Sequence, residues 1–330
     1  MFVKCLYSAL IVVFFNFTAL YSQSNYALLH WKWLNVGGLF INLIQEAEWI
    51  YCVKQVPRAI IYLDMDDAYA PNGKFFPQLF EEVAEEQIFF HPPGQQTVFN
   101  VAWTPTQTRY MQFHPSMKMK TFYKSSIPGD KQIYTDPDFA IYRQSLHPIV
   151  KNFFKPVQEI QSRIDSLMTR LNTTEEPSSK SYKIGIHVRC APHYTYEGTS
   201  YRSENKQPPD ENYLESIERD IDKIMESKDP KNTKIFLATL MQPLVDRLCM
   251  KYDVVIADNV PRTSDISEDW MDIKNANPLD IPRDAIVDGW CLSQCDEVWG
   301  GSSNVLLFIG ILNPDLKIHL LPTLEKYNGI

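Results

Sequence analysis

The chain has 330 residues, enough for two domains of ordinary size, and its 45% hydrophobic and 22% charged content excludes a disordered polymer. A formal net charge of −8, with no strongly basic run, excludes a nucleic-acid groove, while a few well-placed arginines still suffice for a nucleotide-sized ligand. Aromatic residues reach 13%, a share that core packing accounts for and that sugar stacking also draws on.

Residues 1–22 read as a targeting segment. Lys4 supplies a positive flank, Leu6–Leu20 is almost continuously apolar, and polar Ser22-Gln23-Ser24 follows. The run is short of the roughly 20 residues that a membrane span needs. A signal peptide is therefore the expectation, with an uncleaved single-pass anchor as the alternative. Either one puts the body of the chain in the secretory pathway or outside the cell, and a membrane becomes a partner only with the anchor.

Residues 23–171 form the first predicted domain. Trp31–Val36 is strand or loop, Gly37-Gly38 a turn, and Leu39–Val56 a helix stopped by Pro57. Ala59–Leu63 is a short buried strand ending at Asp64, and Thr97–Trp103 is a candidate strand after an irregular Pro- and Gly-rich stretch. Helical periodicity over Asp138–Leu171, interrupted at Pro148 and Pro156, predicts two or three helical pieces. A polar linker over residues 172–182 follows, opening with Asn172-Thr173-Thr174, a glycosylation sequon if the chain is exported.

From 183 to 330 strands and helices alternate regularly. Strands are predicted at Lys183–Val188, Lys234–Ala238, Val254–Ile256, Glu297–Trp299 and Lys317–Leu320. Helices fall between them at Asn212–Glu226, Pro243–Tyr252, Ala285–Ser293 and Ser303–Leu312. This order means parallel βαβ units, in which ligands bind at the carboxyl ends of the strands. Without Cys5 the cysteines number five, an odd count that defines no disulfide framework. Cys291 and Cys295 stand one helical turn apart without the second pair of a zinc site, so they read as buried free thiols.

Three positions could carry chemistry. His187 and Arg189 alternate with Val188 at a strand end and project to one side, where an arginine can pair with a phosphate. A structural ion pair is the plain alternative. Gly300-Gly301-Ser302-Ser303-Asn304 joins a strand to an apolar helix, so its glycines permit close approach and its capped helix start offers N–H groups to an anion. Asp288, on the helix before that strand, can accept hydrogen bonds from the N–H edge of a guanine, or can simply face solvent.

These residues resemble a family. His187-Val188-Arg189 with Glu197 after a short loop is similar to the first motif of the core α1,6-fucosyltransferases and nodulation fucosyltransferases. Asp288 through Asp296, followed by Ser302-Ser303-Asn304, resembles their later motif, and Ile235–Thr239 and Ile256–Asn259 fall in family order. The Gly37-Gly38-Leu39 turn with Asn42 is similar to the glycine-rich opening of the acceptor-side domain in fucosyltransferases more widely. The resemblance implies an α/β GT-B-like fold of two facing Rossmann-like domains, with nucleotide sugar bound by residues 183–330 and a glycan or glycoprotein acceptor entering between the two. It implies Arg189 on the donor β-phosphate, His187 and Asp288 near guanine, Ser302 and Ser303 with Asn304 at the diphosphate, and Glu197 as general base. Fucose would pass from GDP-fucose with inversion, and neither a metal nor a further cofactor is implied.

The chain also departs from that pattern. Cys190 replaces the family's second arginine, Pro192 and His193 its following Asp and Lys, and Leu240-Met241 an acidic pair. A non-catalytic nucleotide-sugar-binding relative is therefore one rival. Another is a haloacid-dehalogenase-like, Mg-dependent phosphatase using Asp64 and Asp66, because an apolar strand ending in Asp-x-Asp resembles the first motif of that family.

Overall fold

The computed structural model describes residues 27–32, 39–55, 59–64, 76–81, 83, 88–89, 98–100, 137–173, 181–188, 195–196, 199–200, 211–264, 279–301 and 303–324. The expected leader lies outside the described residues, among which no helix is long and apolar enough to cross a membrane.

Near the amino end, β1 (Ala27–Lys32), β2 (Ala59–Asp64), β3 (Ile88–Phe89) and β4 (Val98–Asn100) form a parallel sheet in the order β3-β2-β1-β4. The first strand lies earlier than the predicted Trp31–Val36. Ala27-Leu28-Leu29 gives the near-continuous apolar run of a parallel strand, and its register ends with Lys32 opposite Asp64. Helix α1 (Leu39–Gln55) follows and stops two residues before Pro57.

Helix α2 (Pro137–Phe153) starts on proline, where no N–H is needed, and runs straight through Pro148. The interruption expected there does not occur. An interior proline costs about 3 kcal/mol, but the helix buries Phe139, Tyr142, Leu146, Ile149, Val150 and Phe153, and that packing outweighs one lost bond. The chain breaks at Pro156 instead. There Glu81 N–H donates to Lys155 O at 2.8 Å and Val157 N–H to Leu79 O at 3.0 Å, fixing the turn into α3 (Gln158–Asn172).

The second sheet is parallel throughout. Its strands are β5 (Tyr182–Val188), β8 (Thr233–Thr239), β9 (Val254–Val255), β10 (Glu297–Gly300) and β11 (Lys317–Leu320), in the order β11-β10-β5-β8-β9. A two-stranded antiparallel hairpin, β6 (Thr195–Tyr196) and β7 (Thr199–Ser200), follows β5 and was not expected. The crossovers are α4 (Glu211–Glu226), α5 (Gln242–Cys249), α6 (Asp280–Ser293) and α7 (Asn304–Leu312). Helix α6 begins five residues before the predicted Ala285, because Pro282 sits in a first turn that needs no donor and Asp280 complements the dipole.

Alternation along the strands assigns the two faces. Ile184, Ile186, Val188, Ile235 and Leu237 pack with α4 and α5, whereas Phe236, Ala238, Val298 and Ile318 share a core with α3, α6 and α7. That second core continues without a break into α1 and α2. Phe40 of α1 meets Phe308 of α7 at 5.2 Å between ring centroids, and Phe80 meets Trp290 of α6 at 5.9 Å. The apolar core thus spans both sides of the 172–182 linker. Cys291 and Cys295 are buried free thiols, whereas Cys249, at the end of α5, is free and exposed.

Candidate functional site

The site grows from the adjacency of β5 and β10. Their register sets Gly300 opposite His187, and a Cβ added at Gly300 would come within 2.8 Å of the His187 carbonyl oxygen. Only glycine lets the chain leave β10 this close to the β5 tip. Ser303 then caps α7, its side-chain oxygen accepting from the Leu306 N–H at 3.3 Å. The amino end of α7 therefore starts beside the carboxyl end of β5. Arg189, one residue beyond β5, lies outside the described residues, as do Ser302, Gly37, Gly38 and Glu197, the last falling between β6 and β7 in sequence. Asn304 opens α7 and is exposed.

Helix α6 brings Asp288 to the same edge. A Cβ on Gly185 would meet Leu292 Cδ2 and Val298 Cγ2 at 2.8 Å and Cys295 Sγ at 3.3 Å, so α6 is seated directly on β5. Asp288 precedes Leu292 by one helical turn, about 6 Å along the axis. His187 follows Gly185 on the same strand face by two residues, about 6.6 Å. The two residues thus lie at roughly the same level along the strand direction, and both are half-buried.

The charges around Asp288 are mixed. Burial pushes its carboxyl up to about 7, repulsion from Asp284 adds to this, and Arg262 and Arg163 pull it back. Asp284, one turn earlier, is itself raised by burial against the pull of Arg163, whose Nη2 donates to its Oδ1 at 2.5 Å. Arg262, Arg163 and Asp284 were not singled out. The i, i+4 spacing of Asp284 and Asp288 was a readable sign of an acidic helix face, but no local pattern marks Arg262.

Helix α1 reaches the same place from the other half. A Cβ on Gly289 would lie 2.9 Å from Phe40 Cζ, so the first turn of α1 rests on the residue next to Asp288. Asn42, two residues further on, is buried. Asp64 ends β2 in the other sheet, Asp66 lies outside the described residues, and no group of three or more potential metal ligands occurs among the described residues.

Two parallel sheets, the second sandwiched between helices and sharing an aromatic core with α1 and α2, make the chain GT-B-like in fold. It has the fold of the fucosyltransferase NodZ from Bradyrhizobium, with a TM-score of 0.53, 19% identity, and coverage of 88% of this chain and 95% of that one. The NodZ α1,6-fucosyltransferase soaked with GDP-fucose matches at a TM-score of 0.51 and 19% identity, covering 88% of this chain and 94% of that one. The same enzyme co-crystallized with GDP matches at 0.51 and 17% identity over the same shares. No protein-family model and no curated protein matches the sequence.

Proposed function

We propose that the chain is an inverting glycosyltransferase that moves fucose from GDP-fucose to a hydroxyl of a glycan or glycoprotein. The observation that carries this reading is the contact between the β5 tip and the start of α7, with Gly300 against His187. It sets the strand that leads to Arg189 beside a capped helix terminus, on a fold shared with a protein soaked with GDP-fucose. As the bond between fucose C1 and the β-phosphate oxygen breaks, the developing diphosphate charge meets the Arg189 guanidinium, the hydroxyls of Ser302 and Ser303, and the first amides of α7 at Asn304. The Ser303 oxygen accepts from Leu306 N–H, which leaves its own proton to donate to phosphate. The acceptor oxygen attacks C1 from the opposite face and Glu197 takes its proton. His187 and Asp288 hold the guanine, and Gly37, Gly38 and Asn42 line the acceptor side. No metal or further cofactor enters this scheme, and residues 183–330 act as the donor domain with 23–171 facing it. A signal peptide over residues 1–22 would deliver the enzyme to the secretory pathway.

Calorimetric titration of the purified protein with GDP, UDP, ADP and CMP tests the base, with GDP expected to bind in clear preference. Arg189→Ala should lower donor turnover by roughly 100-fold or more; wild-type kinetics in that variant would remove its assignment. Glu197→Gln should keep GDP affinity and lose transfer. GDP binding without transfer, unchanged by Glu197→Gln, would instead mark a non-catalytic binder.

A further inference from the structure

The end of α3 is fastened to the start of the second sheet. Lys234 Nζ donates to Arg170 O at 3.1 Å, Ser181 Oγ to Leu171 O at 2.5 Å, and Thr173 N–H to Thr169 O at 3.1 Å. The carbonyls that a helix terminus leaves open are taken up in this way. Thr173 then leaves the helix with an extended backbone, φ −73° and ψ 123°. Asn172, the last residue of α3, is exposed on this clamp. Its Oδ1 accepts from Lys183 Nζ at 3.1 Å, and its Nδ2 donates to no group among the described residues.

Asn172 also opens the triplet Asn172-Thr173-Thr174, which has the Asn-x-Thr spacing of an oligosaccharide acceptor, and the proposed transfer reaction makes no use of it. The chain has one other such triplet, Asn16-Phe17-Thr18, and that one lies inside the expected leader. The bond to Lys183 places Asn172 at the amino end of β5. His187, Gly300 and the start of α7 stand at the opposite end, four residues or about 13 Å further along the strand. A bulky, hydrated substituent on Asn172 therefore leaves the ligand end of the sheet clear.

We propose that Asn172 is a modification site that carries one N-linked oligosaccharide on its Nδ2. This rests on the export reading of residues 1–22. The donor is an oligosaccharide on a polyisoprenyl diphosphate, supplied by the lumenal oligosaccharyl-transfer machinery of the exporting cell. A bond forms between Asn172 Nδ2 and C1 of the first sugar, and the bond from C1 to the phosphate oxygen breaks. The lipid diphosphate leaves with that electron pair, and one amide proton passes to a base of the transferring enzyme. Oδ1 is untouched, so Lys183 Nζ keeps its acceptor and the end of α3 needs no rearrangement.

The test expresses the full chain in a secreting eukaryotic cell and treats the exported protein with a peptide N-glycosidase in heavy-oxygen water. A single step in gel mobility should disappear, and peptide mass spectrometry should find the heavy-oxygen label at Asn172. Asn172→Gln and Thr174→Ala should each lack that step from the outset. Thr174→Ser and Thr173→Ala, which keep the acceptor pattern, should retain it. Exported wild-type protein with an unlabelled Asn172 overturns the inference and leaves the export reading standing. Should a variant fail to fold, the label on the wild-type peptide decides alone. A chain held in the cytosol by its own first 22 residues removes the leader reading instead. The full chain behind an established signal sequence then decides the site: a label at Asn172 upholds it, and its absence overturns it.

Discussion

Helices α1 and α6 each carry two acids into the packed interior, and they treat them in opposite ways. On α1, Glu46 is fully buried, and neither carboxyl oxygen has a hydrogen-bond partner. Glu48, two residues on, is pushed up to about 8 by burial and accepts a hydrogen bond from Tyr142 Oη at 2.6 Å. Neither has a salt bridge to a cation among the described residues, and burial pushes both carboxyls well above the usual carboxylate range. On α6, Asp284 is paired with Arg163, and at both Asp284 and Asp288 the arginines oppose burial, which still raises each carboxyl. A buried acid without a cation is locked neutral, whereas one beside guanidinium groups has a charge that a ligand can move.

The largest expected effect lies on α1. An acid whose carboxyl is raised on folding opposes stability only where the unfolded chain has ionised. Its penalty is absent below about pH 4.5, grows by about 1.4 kcal/mol per pH unit above that, and levels off at the folded value, about 8 for Glu48. Wild-type stability should therefore fall from pH 5 to pH 7.5, and Glu48→Gln should remove one proton's share of that slope. Over this range the variant should gain about 3 kcal/mol on the wild type. Urea unfolding at several pH values measures it, and parallel slopes would erase the contrast with α6.

Next comes the ion pair that α1 lacks. Arg163→Met leaves Asp284 buried without its guanidinium and should destabilise by about 3 kcal/mol, the lower end for such pairs because Arg163 is 33% exposed. Chemical denaturation checks this, and a loss below about 1 kcal/mol would make the pair ornamental. Gly185→Ala pushes a methyl group into Leu292, Val298 and Cys295 and should cost about 2 kcal/mol. It lifts α6 off β5, so nucleotide affinity should drop along with stability. The smallest change is Tyr142→Phe, which removes one hydrogen bond to Glu48 for about 1 kcal/mol and pushes that carboxyl higher still. A thermal unfolding shift of a few degrees reports it.

Much of the second sheet was legible because strands such as Lys183–Val188 and helices such as Asn212–Glu226 alternate with clear boundaries. The Gly300-Gly301-Ser302-Ser303-Asn304 turn was readable as a capped helix start for the same reason, since capping is local chemistry. What escaped was non-local. Strand order is not written in any one segment, so the pairing of Gly300 with His187 had to come from the fold. Pro148 looked like a helix break because its neighbours in space were invisible. Arg262 sits in a loop whose meaning comes from Leu240, Ala257 and Val260 rather than from any repeat or spacing.

The aromatic seam made by Phe40, Phe80, Phe154, Trp290 and Phe308 has a consequence for anyone dissecting the chain. Severing the backbone between 173 and 181 should yield two fragments that stay together on a sizing column, because α2 and α3 form one side of the sandwich around the second sheet. Expressed from residue 181 onward, the nucleotide half would carry naked phenyl and indole rings into water and precipitate. Supplying residues 27–173 in trans is the remedy this architecture suggests.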